Sequence, residues 1–213
     1  MLALERSFHR CALGALLALA LAGAAGCGRH AARSHAAAGG AIDASLPAGL
    51  FAGESLDSFD STFTDQSGRT VTLASFHGRP MVLAMFYTHC TSACPLLLES
   101  LRKLEAKMPP AQRAGTWFVL VTLDPTRDSP DTLRAFAQAR GLDPSRWRLL
   151  SGSREATTDL EAILGVKVRD AGNGMFDHSS NAYLLDARGV IRHAVIGLGA
   201  DTAELLAARA ALR

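Results

Sequence analysis

The sequence predicts an α/β domain: a central mixed sheet flanked by helices, with an extra β-hairpin at its N-terminal side. Three observations carry this expectation. Residues 81–87 are a continuous apolar run bounded by polar residues, the pattern of a central strand covered on both faces, and 117–123 reads as a second buried strand. Amphipathic stretches with helix start and stop signals alternate with these runs, which argues for parallel strands joined by crossover helices. Two turn signals, Asp65-Gln66-Ser67-Gly68 and Asp186-Ala187-Arg188-Gly189, place an antiparallel hairpin near each end of the domain.

The chain has 213 residues, enough for one domain with appendages. Residues 1–26 read as a secretory signal: Arg6 and Arg10 give a positive start, residues 11–25 are apolar, and Ala24, Ala25 and Gly26 form a small-residue end. The apolar run is too short for a membrane span. Small residues directly before Cys27 are similar to the bacterial lipoprotein signal, in which that cysteine is acylated. Ala24, however, stands where leucine is usual. The alternative is an ordinary cleaved signal or an uncleaved anchor. Residues 27–54 are rich in Ala, Gly and Ser without apolar periodicity and read as a flexible tether, leaving 55–213 as the folded domain.

Within that domain, 56–76 reads as the first hairpin, alternating around Phe59 and Phe63. Gly78-Arg79-Pro80 breaks the chain before the strand at 81–87. A helix should begin within 91–95 and run to about Met108, with Leu97, Leu98, Leu101 and Leu104 as its apolar stripe and Pro109-Pro110 as its stop. After the strand at 117–123, Ser129-Pro130 opens a helix that Gly141 ends. A short strand at 147–150 and a helix at 154–164, closed by Gly165, come next. Strands at 181–185 and 190–196 form the closing hairpin, and 202–212 is the last helix. A closing hairpin and helix on a mainly parallel sheet are what a thioredoxin-like fold adds. In such sheets sites lie at the carboxyl ends of strands.

The composition narrows the function. Net charge is +2 with both signs mixed along the chain, and only 6% of residues are aromatic. Neither a basic patch nor a stacking platform for nucleic acid is visible. Of four cysteines, Cys11 lies in the signal and Cys27 is the lipid candidate, so only Cys90 and Cys94 belong to the exported domain. In an oxidising compartment such a pair is a structural disulfide, a redox couple or a metal site.

Cys90 and Cys94 follow the end of a buried strand directly. With a helix starting near Thr91 or Ser92, both thiols lie on one face of its first turn, where free N–H groups stabilise thiolates. His178 precedes the strand at 181–185. In this layout the loop before that strand faces the cysteine turn, so His178 is a candidate third ligand; the plainer alternative is a solvated loop histidine. Two thiolates and an imidazole suit copper by softness, with Zn²⁺ as competitor. Asp124, at the end of the second buried strand, is a candidate to hydrogen-bond behind the ligands, or else a turn and cap residue. Tyr87 reads as packing at a strand end, and His89 as exposed and non-coordinating, the alternative being an extra ligand or a partner-facing residue. Met175 reads as loop packing, and His30 and His35 as residues of a solvated coil.

Four segments stand out: Phe63-Thr64-Asp65-Gln66-Ser67-Gly68-Arg69, Tyr87-Thr88-His89-Cys90-Thr91-Ser92-Ala93-Cys94-Pro95, Thr122-Leu123-Asp124-Pro125-Thr126-Arg127-Asp128-Ser129-Pro130, and Asp177-His178-Ser179. In this order and spacing they resemble the Sco/SenC family of copper-delivery proteins. The resemblance covers residues 57–213. It implies a thioredoxin fold with an extra hairpin, tethering at the outer (periplasmic) face of an energy-conserving membrane, and copper held by Cys90, Cys94 and His178. The implied client is the copper-site subunit of cytochrome c oxidase, which would receive copper or have its cysteines reduced. Two features depart from the family: Thr91 replaces the proline common after the first cysteine, and the segment from Gly165 to His178 is short. A thiol–disulfide oxidoreductase using Cys90 and Cys94 is the alternative. A hydroperoxide-reducing enzyme acting at Cys90 ranks below both, since no arginine is evidently placed beside that cysteine.

Overall fold

The structure, a computed structural model, describes residues 53, 55–197 and 202–212. The signal, the tether and Cys27 lie outside the described residues. The elements run β1 (Phe63–Asp65), β2 (Thr70–Val71), a 3-10 turn (Leu73–Phe76), β3 (Met81–Phe86), α1 (Ala93–Lys107), α2 (Pro110–Ala114), β4 (Trp117–Thr122) and α3 (Pro130–Ala139). They continue with β5 (Trp147–Gly152), α4 (Arg154–Ile163), β6 (Val168–Gly172), β7 (Met175–His178), β8 (Asn181–Leu185), β9 (Ile191–Ile196) and α5 (Ala203–Ala211).

Seven strands form one mixed sheet in the order β2-β1-β5-β4-β3-β8-β9. The centre, β5-β4-β3, is parallel, as the apolar runs require, and every residue of β3 is buried. β1 and β8 flank this centre antiparallel, and β9 continues from β8. Helices flank the sheet, giving the expected thioredoxin-like architecture with its N-terminal hairpin. α1 presents Cys94, Leu97, Leu98, Leu101 and Leu104 to the core at helical spacing. Each fully buried leucine there stabilises the fold by about 2 kcal/mol. Ser129 and Ser153 cap α3 and α4, accepting from the N–H groups of Thr132 at 3.2 Å and Ala156 at 3.0 Å. Beneath α1, Phe118 and Trp147 stack with ring centroids 4.6 Å apart. The buried Gln66 side chain donates to Trp147 O and accepts from Leu149 N, both at 2.9 Å, imitating a strand partner for β5.

Three local expectations change. The first hairpin is shorter than 56–76, because Leu73 and Phe76 enter the core through a 3-10 turn instead of an extended strand. Pro109-Pro110 ends α1 but also opens α2, since Pro110 takes a first-turn position where a missing N–H costs nothing. The segment before β8 is not a loop. β6 and β7 pair as a separate two-stranded hairpin, and His178 is the last residue of β7. Asn173 (φ 54°) and Gly174 (φ 72°) form its two-residue turn; both lie in the left-handed region that a twisted hairpin demands.

Candidate metal centre

The site sits where β3 ends. Residues 87–92 leave the sheet and turn into α1. Asp128, fully buried, fixes that turn: its carboxylate accepts from Thr88 N at 3.0 Å and from the hydroxyls of Thr88 and Thr122. Asp128 also ties the cysteine turn to β4, because Thr122 is the last residue of that strand.

α1 begins at Ala93, and Ser92, its N-cap, makes no side-chain cap bond. The Cys90 sulfur takes that role, accepting from Cys94 N at 3.2 Å. Burial pushes the Cys90 thiol up. The N–H of Cys94, the Cys94 thiol and the N–H groups of Ser92 and Ala93 outweigh it and leave the thiol below its ordinary range. Cys94 is pushed far up, first by burial and then by its neighbour Cys90. Both cysteines are buried free thiols.

His178 reaches this pair from β7. Its Nε2 lies 3.4 Å from the Cys94 sulfur, and its Nδ1 lies 3.1 Å from Ser179 O. The carbonyl at Nδ1 requires that nitrogen to carry the proton, which leaves the Nε2 lone pair facing the sulfurs. Burial lowers the His178 pKa, against the opposing effects of Ser179 O and Asp177, and so favours the neutral, ligating ring. The two sulfurs and one imidazole nitrogen all lie within 4.8 Å of one another. Residues 84 positions apart thus form one soft donor cluster that could hold a metal ion.

The remaining candidates fall elsewhere. Asp124 is buried, but its carboxylate turns to the Arg127 guanidinium, and Asp128 is the carboxylate that grips the cysteine turn. His89 is exposed, with Nδ1 3.0 Å from the Thr88 hydroxyl, and stands outside the donor cluster. Met175 is half-buried at the start of β7. Tyr87 does more than pack: its hydroxyl donates to Phe176 O at 2.9 Å and accepts from Phe176 N at 3.1 Å. Asn173-Gly174 is the turn signal in the sequence for this hairpin; the tyrosine's double bond to it has none.

The SCO1/SenC family model matches residues 54–211, nearly the whole folded part. The chain belongs to the SCO1/SenC family. Among SCO1/SenC relatives, the SCO1 protein homolog of Bacillus subtilis is 25% identical over 133 residues, which cover 61% of this chain and 68% of that protein. The crystal structure of a SCO1/SenC family lipoprotein from Bacillus anthracis matches with a TM-score of 0.64 and 28% identity, covering 71% of this chain and 91% of that one. The structure of Arabidopsis thaliana ScoI with copper bound matches with a TM-score of 0.63 over 73% of this chain and 96% of that one; at 19% identity the likeness is one of fold.

Proposed function

We propose that this SCO1/SenC protein binds one copper ion through Cys90 Sγ, Cys94 Sγ and His178 Nε2 and delivers it to the binuclear copper site of cytochrome c oxidase. One observation carries the reading: two sulfurs and an imidazole nitrogen converge within 4.8 Å. Thiolates select soft ions, and three donors suit Cu(I), whereas structural zinc sites take four protein ligands. The site's position supports delivery, since Thr91 and Ser92, between the two cysteines, are exposed. A client's thiolates could approach there and take the ion by stepwise ligand exchange, with no net electron transfer. In this reading copper is cargo. Lipidation at Cys27 and the 27–54 tether would hold the domain on the outer face of the membrane.

A second reading has its own support. The Cys90 thiol is held below its ordinary range while Cys94 stays protonated, the asymmetry of a redox pair. The Cys90 thiolate would attack a client disulfide, Cys94 would resolve the mixed disulfide, and two client thiols would leave as the pair becomes a disulfide.

Cu(I) titration of the reduced protein beside Cys90→Ala, Cys94→Ala and His178→Ala tests the first reading. The expectation is one ion per chain, with each variant bound more weakly. Unchanged affinity in His178→Ala, with disulfide exchange intact, would favour the second.

A further inference from the structure

β6 and β7 stand apart from the seven-stranded sheet. A lone two-stranded hairpin is marginal in water, and most of β6 is exposed. Yet this hairpin carries His178, so something outside its own ladder must hold it at the cysteines. Two side chains from the body of the domain reach it. The Tyr87 hydroxyl engages both the N–H and the C=O of Phe176, filling the place a neighbouring strand would take at the edge of β7. The Tyr87 ring meets the Phe176 ring edge-on at 5.5 Å and the His178 ring at 5.9 Å. Residues 176 and 178 share a face of the strand, so a grip on Phe176 also sets the imidazole. Arg127 makes the second contact. Its guanidinium donates to Gly174 O at the hairpin turn, is held by the Asp124 carboxylate, and lies 5.9 Å over the Phe176 ring. Gly174, at φ 72°, takes a backbone conformation that favours glycine, and a Cβ there would come within 2.9 Å of the Arg127 guanidinium and push it aside.

We propose that Tyr87 and Arg127 are positioning residues, a latch that holds the β6–β7 hairpin against the body and so keeps His178 in register with Cys90 and Cys94. This rests on the metal-site reading above. Neither residue is one of the three donors: Arg127 acts through the hairpin and His178, while the Tyr87 hydroxyl also meets the Cys90 side chain. With the latch closed, three donors face one point. With it open, the hairpin swings away and leaves a two-sulfur site, from which a client's thiolates can take the ion more readily.

The test uses the full-length reduced protein in detergent. Tyr87→Phe keeps the ring and removes both hydrogen bonds; Arg127→Lys keeps the charge at Asp124 but loses the forked guanidinium. In the metal-free protein, amide hydrogen exchange across 168–178 is expected to quicken in Tyr87→Phe while β3 and β4 stay protected, a pattern that global destabilisation would not produce. Cu(I) affinity, read by chelator competition, is expected to fall ~10-fold in each variant, within the range for groups that orient a ligand. Combined with His178→Ala, Arg127→Lys should add nothing further, because the group it positions is gone. Equal losses in Arg127→Lys with and without His178, or unchanged exchange in the hairpin of Tyr87→Phe, would overturn the latch while leaving the metal site standing. Failure of the wild-type protein to bind Cu(I), or full affinity in Cys90→Ala, would instead remove the metal-site reading beneath it.

Discussion

Replacing Asp128 with alanine removes the one buried carboxylate that ties the cysteine turn to β4. Three donors lose their acceptor: Thr88 N at 3.0 Å and the hydroxyls of Thr88 and Thr122. A hydrogen bond to a charged group contributes about 1.5–3 kcal/mol, and a donor left buried without a partner costs about 1–3 kcal/mol. Thr122 is fully buried, whereas Thr88 is half-buried and can turn to water. Discounting for that, the loss is about 3 kcal/mol, against about 5–15 kcal/mol for the stability of an ordinary domain. Urea unfolding followed by the fluorescence of Trp117 and Trp147 reads it directly. Asp128→Asn keeps the volume and one carbonyl acceptor, so it should lose roughly half as much. An alanine variant within about 0.5 kcal/mol of wild type, as for an ordinary surface change, would refute the role given to this carboxylate.

Two further outcomes are expected. Asp65 is pushed up by burial but brought down to about 2 by bonds from Ser67 and Arg69. A carboxylate whose folded pKa lies below its unfolded value stabilises the fold above the unfolded pKa. That contribution, about 2 kcal/mol for a fall from 3.8 to about 2, is lost as pH drops through this window. Asp65→Asn should therefore flatten the pH dependence of stability between those values, and an unchanged profile would contradict it. In a pulse of iodoacetamide on the metal-free, reduced protein, Cys90 should be alkylated well before Cys94, as read by peptide mass spectrometry, since only Cys90 is held toward its thiolate. Equal rates would contradict the asymmetry.

What the sequence disclosed follows from how local each signal is. β3 announces itself because a strand covered on both faces is apolar throughout, β4 because all but its last residue are apolar, and α1 because its leucines recur at helical spacing. Ser129-Pro130 marks a helix start by a chemistry confined to a few residues. The β6–β7 hairpin reads as a loop in the sequence despite its Asn173-Gly174 turn, because the polar, exposed residues of β6 show no alternation. The choice between Asp124 and Asp128 could not be read at all. Both follow β4, and which one reaches Thr88 depends on how a tight turn after Thr122 points them, a matter of three dimensions. The double bond from Tyr87 to Phe176 spans 89 positions and has no sequence signature. Cys90 and Cys94 carry a signature of their own, a buried strand followed by a helix start; His178 acquires its meaning only when the chain folds back.

X-ray absorption at the copper edge of the Cu(I)-loaded, reduced protein tests the central claim most directly. Each copper should show two sulfur neighbours and one nitrogen neighbour, and the nitrogen should vanish in His178→Ala while both sulfurs remain. A nitrogen shell that survives in His178→Ala, or fewer than two sulfurs in the wild-type protein, would contradict a site built from Cys90, Cys94 and His178.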